Sequence, residues 1–152
     1  MRHIFYILII QIILGVWLSS NYAALACSDF PLCKGVILPE ADYTKGFNFL
    51  QRIGPDYLGG QLDHQSRVAI HLVHRFGALV VTVYFLALAY LFARNKNYFV
   101  SGLIAGLLFL QLVLGVSNII YRLPLYVAIA HNLGALFLLL GLSYVRLRTR
   151  EY

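Results

Sequence analysis

Four stretches of this chain run without a charge for long enough, or nearly so, to cross about 30 Å of hydrocarbon at about 1.5 Å per helical residue. They are Ile4 to Ser20, Phe76 to Ala93, Asn97 to Tyr121 and Leu123 to Val145. The second begins earlier, near Ser66 to Val68, and takes Arg67, His71, His74 and Arg75 into its outer part. The spans are thus expected at about 4–20, 67–93, 97–121 and 123–145. Hydrophobic residues make up 61% of the 152 positions and charged ones 12%, and the mean hydropathy is +0.76. A soluble domain carries roughly twice that charged fraction. The expected fold is therefore all-α and membrane-integral, a bundle of four transmembrane helices forming one membrane domain over 1–152.

The formal net charge of +6 does not point to nucleic acid. Arg2, Arg94, Lys96, Arg146, Arg148 and Arg150 flank the apolar runs, leaving no soluble face to bind a polyanion. They set orientation instead: both termini and the Arg94–Asn97 loop are expected in the cytoplasm of a cell-membrane protein. Segment 21–66 and the short turn at Arg122 then lie outside. The acidic residues follow suit, with Asp29, Glu40, Asp42, Asp56 and Asp63 in the outer loop and Glu151 inside. A signal-peptide reading of Ile4 to Leu18, with Ala24-Leu25-Ala26-Cys27 as a cleavage site, competes for the first span. Against a lipoprotein site, Ala24 stands where leucine is preferred. The repeat described next gives the segment a place inside the fold.

Gln11-Ile-Ile-Leu14-Gly15-Val16 in the first span returns as Gln111-Leu-Val-Leu114-Gly115-Val116 in the third. His74-Arg-Phe-Gly77-Ala78-Leu79 in the second returns as His131-Asn-Leu-Gly134-Ala135-Leu136 in the fourth. The chain reads as two helical hairpins, parallel repeats about an axis along the membrane normal. His74 lies seven residues past Arg67 and His131 seven past Pro124, so each sits about 10 Å below the outer boundary. Two imidazoles opposed at equal depth are what a six-coordinate haem iron needs from a four-helix bundle. Gly77 and Ala78, like Gly134 and Ala135, lie on the same helix face as their histidine. Such small residues leave room for a flat macrocycle, or they merely let helices approach closely with the histidines as hydrogen-bonding glue. Two histidines at matched positions favour the haem reading, because ionisable groups inside a membrane are costly and usually functional.

Arg75, beside His74 and deeper than Arg67 or Arg122, is the candidate for contact with haem propionates. The other two serve equally well as interfacial arginines snorkelling to headgroups. His71, three residues before His74, is the candidate catalytic group, handling protons at the haem edge. Its alternative is a copper or zinc site shared with His74, for which the spans offer no suitably spaced third ligand. His64 in the outer loop and His3 near the inner end carry no expected chemistry. Cys27 and Cys33, the only cysteines, lie in a compartment that permits disulfides. They form either a staple for a loop with little core of its own or a redox-active pair, and nothing nearby clearly lowers a thiol pKa. No Cys-x-x-Cys-His attachment exists, so the haem is expected to be non-covalent.

The residues now resemble a known family. Leu14-Gly15-Val16-Trp-Leu-Ser-Ser20 followed by Cys27-Ser-Asp29-Phe-Pro31-Leu-Cys33 looks like the opening of haem A synthases. His74-Arg75, Gln111-x-x-Leu114-Gly115-x-x-Asn118, Leu123-Pro124-Leu125 and His131 extend the match over most of the chain. The resemblance implies oxidation of a ring methyl of haem O to the formyl group of haem A, for terminal oxidase assembly. It carries axial ligands onto His74 and His131 and a disulfide onto Cys27–Cys33, and it implies haem b beside haem O and haem A. Usual members have two such halves. This sequence resembles the short, single-half form, which implies a homo-oligomer, dimer or trimer, with a haem O synthase as an expected partner. The catalytic half of the family typically has a glutamate where His71 stands here. A b-type cytochrome with permanent bis-histidine haem is the second reading. A thiol oxidase working through Cys27 and Cys33 is the third, although that class normally needs a second cysteine pair.

Overall fold

The computed structural model describes residues 2–50 and 62–148, and so leaves Asp56, Arg150 and Glu151 outside the described residues. Long apolar runs with no interior proline propagate as helix, and among the described residues five helices form: α1 Arg2–Ser20, α2 Tyr43–Gly46, α3 His64–Arg94, α4 Tyr98–Ile120 and α5 Leu125–Arg148. All but the one-turn α2 are long and apolar enough to cross a membrane. Caps fix the boundaries. Asp63 accepts the backbone N–H of Ser66 and starts α3 at His64, so His64 belongs to the helix and not, as expected, to the loop. Asn97 does the same for α4, where its side chain accepts the N–H of Val100. The fourth span starts at Leu125, two residues later than expected, because Arg122 and Leu123 both take left-handed backbone conformations (φ 58° and 62°). Pro124 then closes that turn.

Around the bundle α1 packs on α3 and α5, and α4 packs on the same two helices. Among the described residues the diagonal pairs, α3 with α5 and α1 with α4, bring no Cα atoms within 8 Å of each other. The helices therefore form a closed ring of four, with α3 and α5 facing each other across its centre.

The interior is filled unevenly. Leu8, Val81, Phe85, Leu88, Ala89, Ile104, Leu108, Leu138, Leu142 and Val145 make one buried core. All lie toward the end that carries the beginning of α1, the α3–α4 turn and the end of α5. At the opposite end, which carries the disulfide loop and α2, the bundle helices contribute few buried apolar side chains toward the axis among the described residues. Outward, Ile13, Phe76, Phe99, Phe109 and Phe137 are exposed all round the bundle. Helices apolar on every face are stable only where lipid is the solvent, and the chain is a multi-pass membrane protein.

The described residues between α1 and α3 have a small core of their own. Ala26, the bonded Cys27 and Cys33, and Val68 of α3 are buried together, with Ala41 and Leu72 against them. Asp42 caps α2 by accepting the N–H of Lys45, and Trp17 Nε1 donates to the Gly46 carbonyl at 2.9 Å, tying α2 to α1.

Candidate functional site

His74 on α3 and His131 on α5 stand on the diagonal helices, in the half of the bundle that lacks a packed core. Each is braced by a glutamine from the neighbouring helix. Gln11 of α1 donates through Nε2 to the His74 carbonyl at 3.0 Å, and the same nitrogen lies 3.2 Å from His74 Nδ1. Gln111 of α4 donates to the His131 carbonyl at 3.0 Å and lies 3.5 Å from His131 Nε2. The bond to the histidine carbonyl thus recurs, while the ring nitrogen facing the glutamine differs, Nδ1 in His74 and Nε2 in His131.

Glycines make room for these pairs. A Cβ on Gly77 would collide with Gln11 Oε1, and one on Gly134 with Gln111 Oε1. On the facing helices a Cβ at Gly15 would come within 3.3 Å of His74 Cε1, and one at Gly115 within 3.0 Å of His131 Cε1. The space at Gly77 and Gly134, expected beside a macrocycle, is therefore occupied by the glutamine amides. Gln11 and Gln111 are the functional residues that sequence reasoning passed over. Their signal was present, since each opens the repeated Gln-x-x-Leu-Gly block.

Each histidine keeps one ring nitrogen unclaimed by protein. Among the described residues nothing bonds His74 Nε2, and His131 Nδ1 is buried without a partner. A buried polar atom left unmatched costs about 1–3 kcal/mol, so its persistence in a folded core calls for a ligand. Two imidazoles on diagonal helices, each with a ring nitrogen that the described residues leave without a partner, are a donor set that fits a bis-histidine haem. Asn118 Oδ1, also on α4, is a further buried acceptor without a partner. Among the described residues no three His, Cys, Asp or Glu side chains converge as metal ligands.

The remaining candidates fall into place around the disulfide loop. His71 is buried, and its Nδ1–H donates to the Ala23 carbonyl at 3.0 Å. Because a carbonyl can only accept, the proton of the neutral ring sits on Nδ1 and Nε2 carries the lone pair. Arg75 does not reach out alone toward a propionate. Its Nη1 donates to the carbonyls of Leu32 (2.8 Å) and Pro31 (3.4 Å), its Nη2 to those of Asp29 (2.8 Å) and Cys27 (3.1 Å). The Phe30 ring covers the guanidinium, 5.7 Å from its centroid. Arg67 is half-buried in the first turn of α3, and Arg122 is exposed on the α4–α5 turn. The disulfide sulfurs are buried (0% and 1% exposed for Cys27 and Cys33), which favours a staple over exchange chemistry.

Comparison with known proteins follows the same lines. The model of the COX15-CtaA family, described as cytochrome oxidase assembly protein, matches residues 1–143. The heme A synthase of Shewanella oneidensis is 44% identical over 138 residues, covering 90% of this chain and 42% of that protein. The heme A synthase of Neorickettsia sennetsu is 29% identical over 150 residues, covering 96% and 41%. That of Wolbachia pipientis wMel is 30% identical over 148 residues, covering 94% and 38%. The chain spans about two-fifths of the length of these curated relatives. No solved structure matches it.

Proposed function

Because this chain belongs to the COX15-CtaA family of cytochrome oxidase assembly proteins, we propose that it binds haem between His74 and His131 and takes part in making haem A. The substrate is haem O, whose ring methyl is oxidised to the formyl group of haem A. The observation that carries this reading is the matched pair of glutamine-braced histidines on diagonal helices, set in the half of the bundle without a packed core. Haem iron, when bound, supplies the one-electron and oxygen chemistry.

The chain's own residues supply position and proton handling. His74 and His131 would hold the haem iron, and the repeated glycines let the neighbouring helices approach them closely. His71, with Nδ1 held on Ala23, presents Nε2 as the group that can take up a proton. Arg75, with Gly77 and Gly134, organises the walls: Arg75 fixes the disulfide loop over this end of the bundle. A second haem, a resident haem b passing electrons, would be held by another such four-helix unit. A homo-oligomer, dimer or trimer, supplies that unit in this scheme, with a haem O synthase delivering the substrate.

Chemical identification of the pigment tests the proposal. Cells supplied with haem O and expressing the chain are expected to yield haem A or a hydroxylated intermediate bound to the purified protein. Unmodified haem b alone, persisting through turnover, would overturn the enzymatic reading and leave an electron carrier. Size measurement in detergent tests the oligomer, which a single-copy mass would refute.

A further inference from the structure

We infer that Asn118 is a specificity-determining residue whose Oδ1 accepts a hydrogen bond from a hydroxyl at the edge of the bound haem. The inference rests on the haem pocket proposed above and adds which chemical form of the haem that pocket holds best.

Asn118 belongs to the wall of that pocket. Gly115 of α4 lies against the ring of His131. Asn118 follows three residues later on the same helix face, about 4.5 Å nearer the loop end. The depth agrees on the other side. Asn118 stands twenty residues past Tyr98, where α4 begins, and His74 twenty before Arg94, where α3 ends. Across their short turn these neighbouring helices bring the asparagine level with the ligand histidine.

Its Oδ1 is buried, and no donor among the described residues reaches it. A buried acceptor without a donor is unfavourable, and a folded protein keeps one where a ligand completes it. The repeat shows that helix packing does not require the amide. Gln11, Leu14 and Gly15 of α1 recur as Gln111, Leu114 and Gly115, but Leu18 takes the place of Asn118. His71 likewise has no polar counterpart, its place in α5 being taken by Ala128. The two polar residues that break the repeat thus stand on neighbouring helices at the loop end of the pocket. One wall is chemically unlike the other, which suits a substrate altered at one point of its edge.

The orphaned atom selects the group it binds, because an acceptor needs a donor. The ring methyl of haem O offers none. The formyl oxygen of haem A only accepts, and so does an ionised propionate. A hydroxyl donates, and these haems have two: the alcohol stage between methyl and formyl, and the hydroxyl of the side chain that haem O and haem A share. A bond to the first holds the half-oxidised haem in place until its second oxidation. A bond to the second holds every stage equally and favours haem O over haem b.

The test is equilibrium binding of ferric haems to the purified full chain, prepared without haem and given no reductant, so that nothing turns over. Haem b has neither hydroxyl, haem O has the side-chain one, and its hydroxymethyl derivative has both. In N118L, which copies Leu18, the hydroxymethyl derivative is expected to bind about 10-fold more weakly, as loss of one buried hydrogen bond predicts. Haem b should bind as it does to the wild type. Unchanged affinity for haem O in the same variant identifies the ring alcohol as the donor, and an equal loss identifies the side-chain hydroxyl. N118A repeats the measurement if N118L does not fold. Affinities equal to wild type for all three haems, or lowered equally for all three, would overturn the proposal and leave Asn118 as packing. A wild-type chain that binds none of them in a low-spin bis-histidine form would instead overturn the ligand assignment, so the two failures are distinguishable.

Discussion

Arg75 Nη2 donates to the main-chain oxygen of Asp29 at 2.8 Å, while the carboxylate of Asp29 accepts the backbone N–H groups of Lys34 (2.6 Å) and Gly35 (2.9 Å). One side chain from α3 and one from the loop thus hold the Cys27–Cys33 turn from both sides. The arginine satisfies carbonyls that the turn cannot pair internally, and the aspartate satisfies the N–H groups at its far edge. Gly35, at φ 79°, supplies the left-handed step that lets both N–H groups face one carboxylate.

Removing the guanidinium should therefore loosen the loop and leave the disulfide in place. Four carbonyls lose a charged donor in R75A, and the expected cost in local stability is on the order of 3 kcal/mol. R75K should recover little of it, because a single ammonium cannot span carbonyls that a planar fork reaches together. Hydrogen exchange of the amides of residues 27–36 in detergent reports the effect directly. Equal protection in R75K and wild type would show that charge alone, not the fork, holds the turn.

Asp29 gives the loop a defined acid limit. The N–H groups of Gly35 and Lys34 hold its carboxyl below the usual value of 3.8. A carboxylate with a lowered folded pKa adds stability that is fully present above the unfolded value and is lost as the pH falls through the lowered one. Loop protection should thus be flat from pH 7 to about 5 and decline only below about 4. In D29N the loop is weaker at neutral pH and lacks this acid step. The wild-type and D29N protection curves should converge at low pH. Parallel curves across the whole range would remove Asp29 from the account.

The sequence made the helices legible because their signal is bulk chemistry: uncharged runs long enough to span a bilayer have no other stable solution. Through its repeat it also singled out His74 and His131, which the structure sets on α3 and α5. Asp63 before Ser66 was a readable cap, and overlooking it placed His64 in the loop. What stayed hidden depends on main-chain atoms. The carbonyls around Arg75 and under His71 leave no trace in residue identity, so the bonds that Arg75 makes to the loop went unread beside its expected propionate contact. The glutamines were quoted as repeat markers without a role, because their partners are a histidine's own carbonyl and a glycine's empty Cβ position.

The glycines of α4 separate the site from the lipid face in one helix. A Cβ at Gly115 comes within 3.0 Å of the His131 ring, whereas at Gly106 it meets nothing within 4 Å. G115A should displace His131 and lower haem occupancy, costing about 1–3 kcal/mol as overpacking does. G106A should be neutral or stabilise the helix by roughly 0.5–1 kcal/mol through the lost backbone freedom of glycine. Haem content per chain and thermal stability in detergent, measured on both, check the contrast. Equal behaviour would mean that Gly115 is no tighter than a lipid-facing site.

Single removal of either axial candidate should be felt at the iron more than in the fold. H74A and H131A each leave the core of Leu8, Phe85, Leu108 and Leu142 at the other end of the bundle intact, so helical content should hold. The low-spin spectrum should disappear in each, giving either a five-coordinate haem or none. An unchanged Soret band in both variants would refute the axial assignment.

His71 is the residue for which structure and chemistry make the sharpest demand. Its Nδ1–H on the Ala23 carbonyl ties α3 to the segment following α1, so a loss of function on substitution could arise from a shifted loop alone. H71N and H71Q separate the two roles. Either amide can donate to the carbonyl and preserve the tie, but neither can take up a proton. Haem should stay bound with an unperturbed low-spin spectrum in both, while conversion of haem O slows by about 100-fold, the lower range of a general acid–base contribution. The histidine's ionisation should also vanish from the pH profile of the remaining activity. If H71Q turns over at the wild-type rate, the tie to Ala23 is its whole contribution and the proton must be handled by another group at the loop end of the bundle.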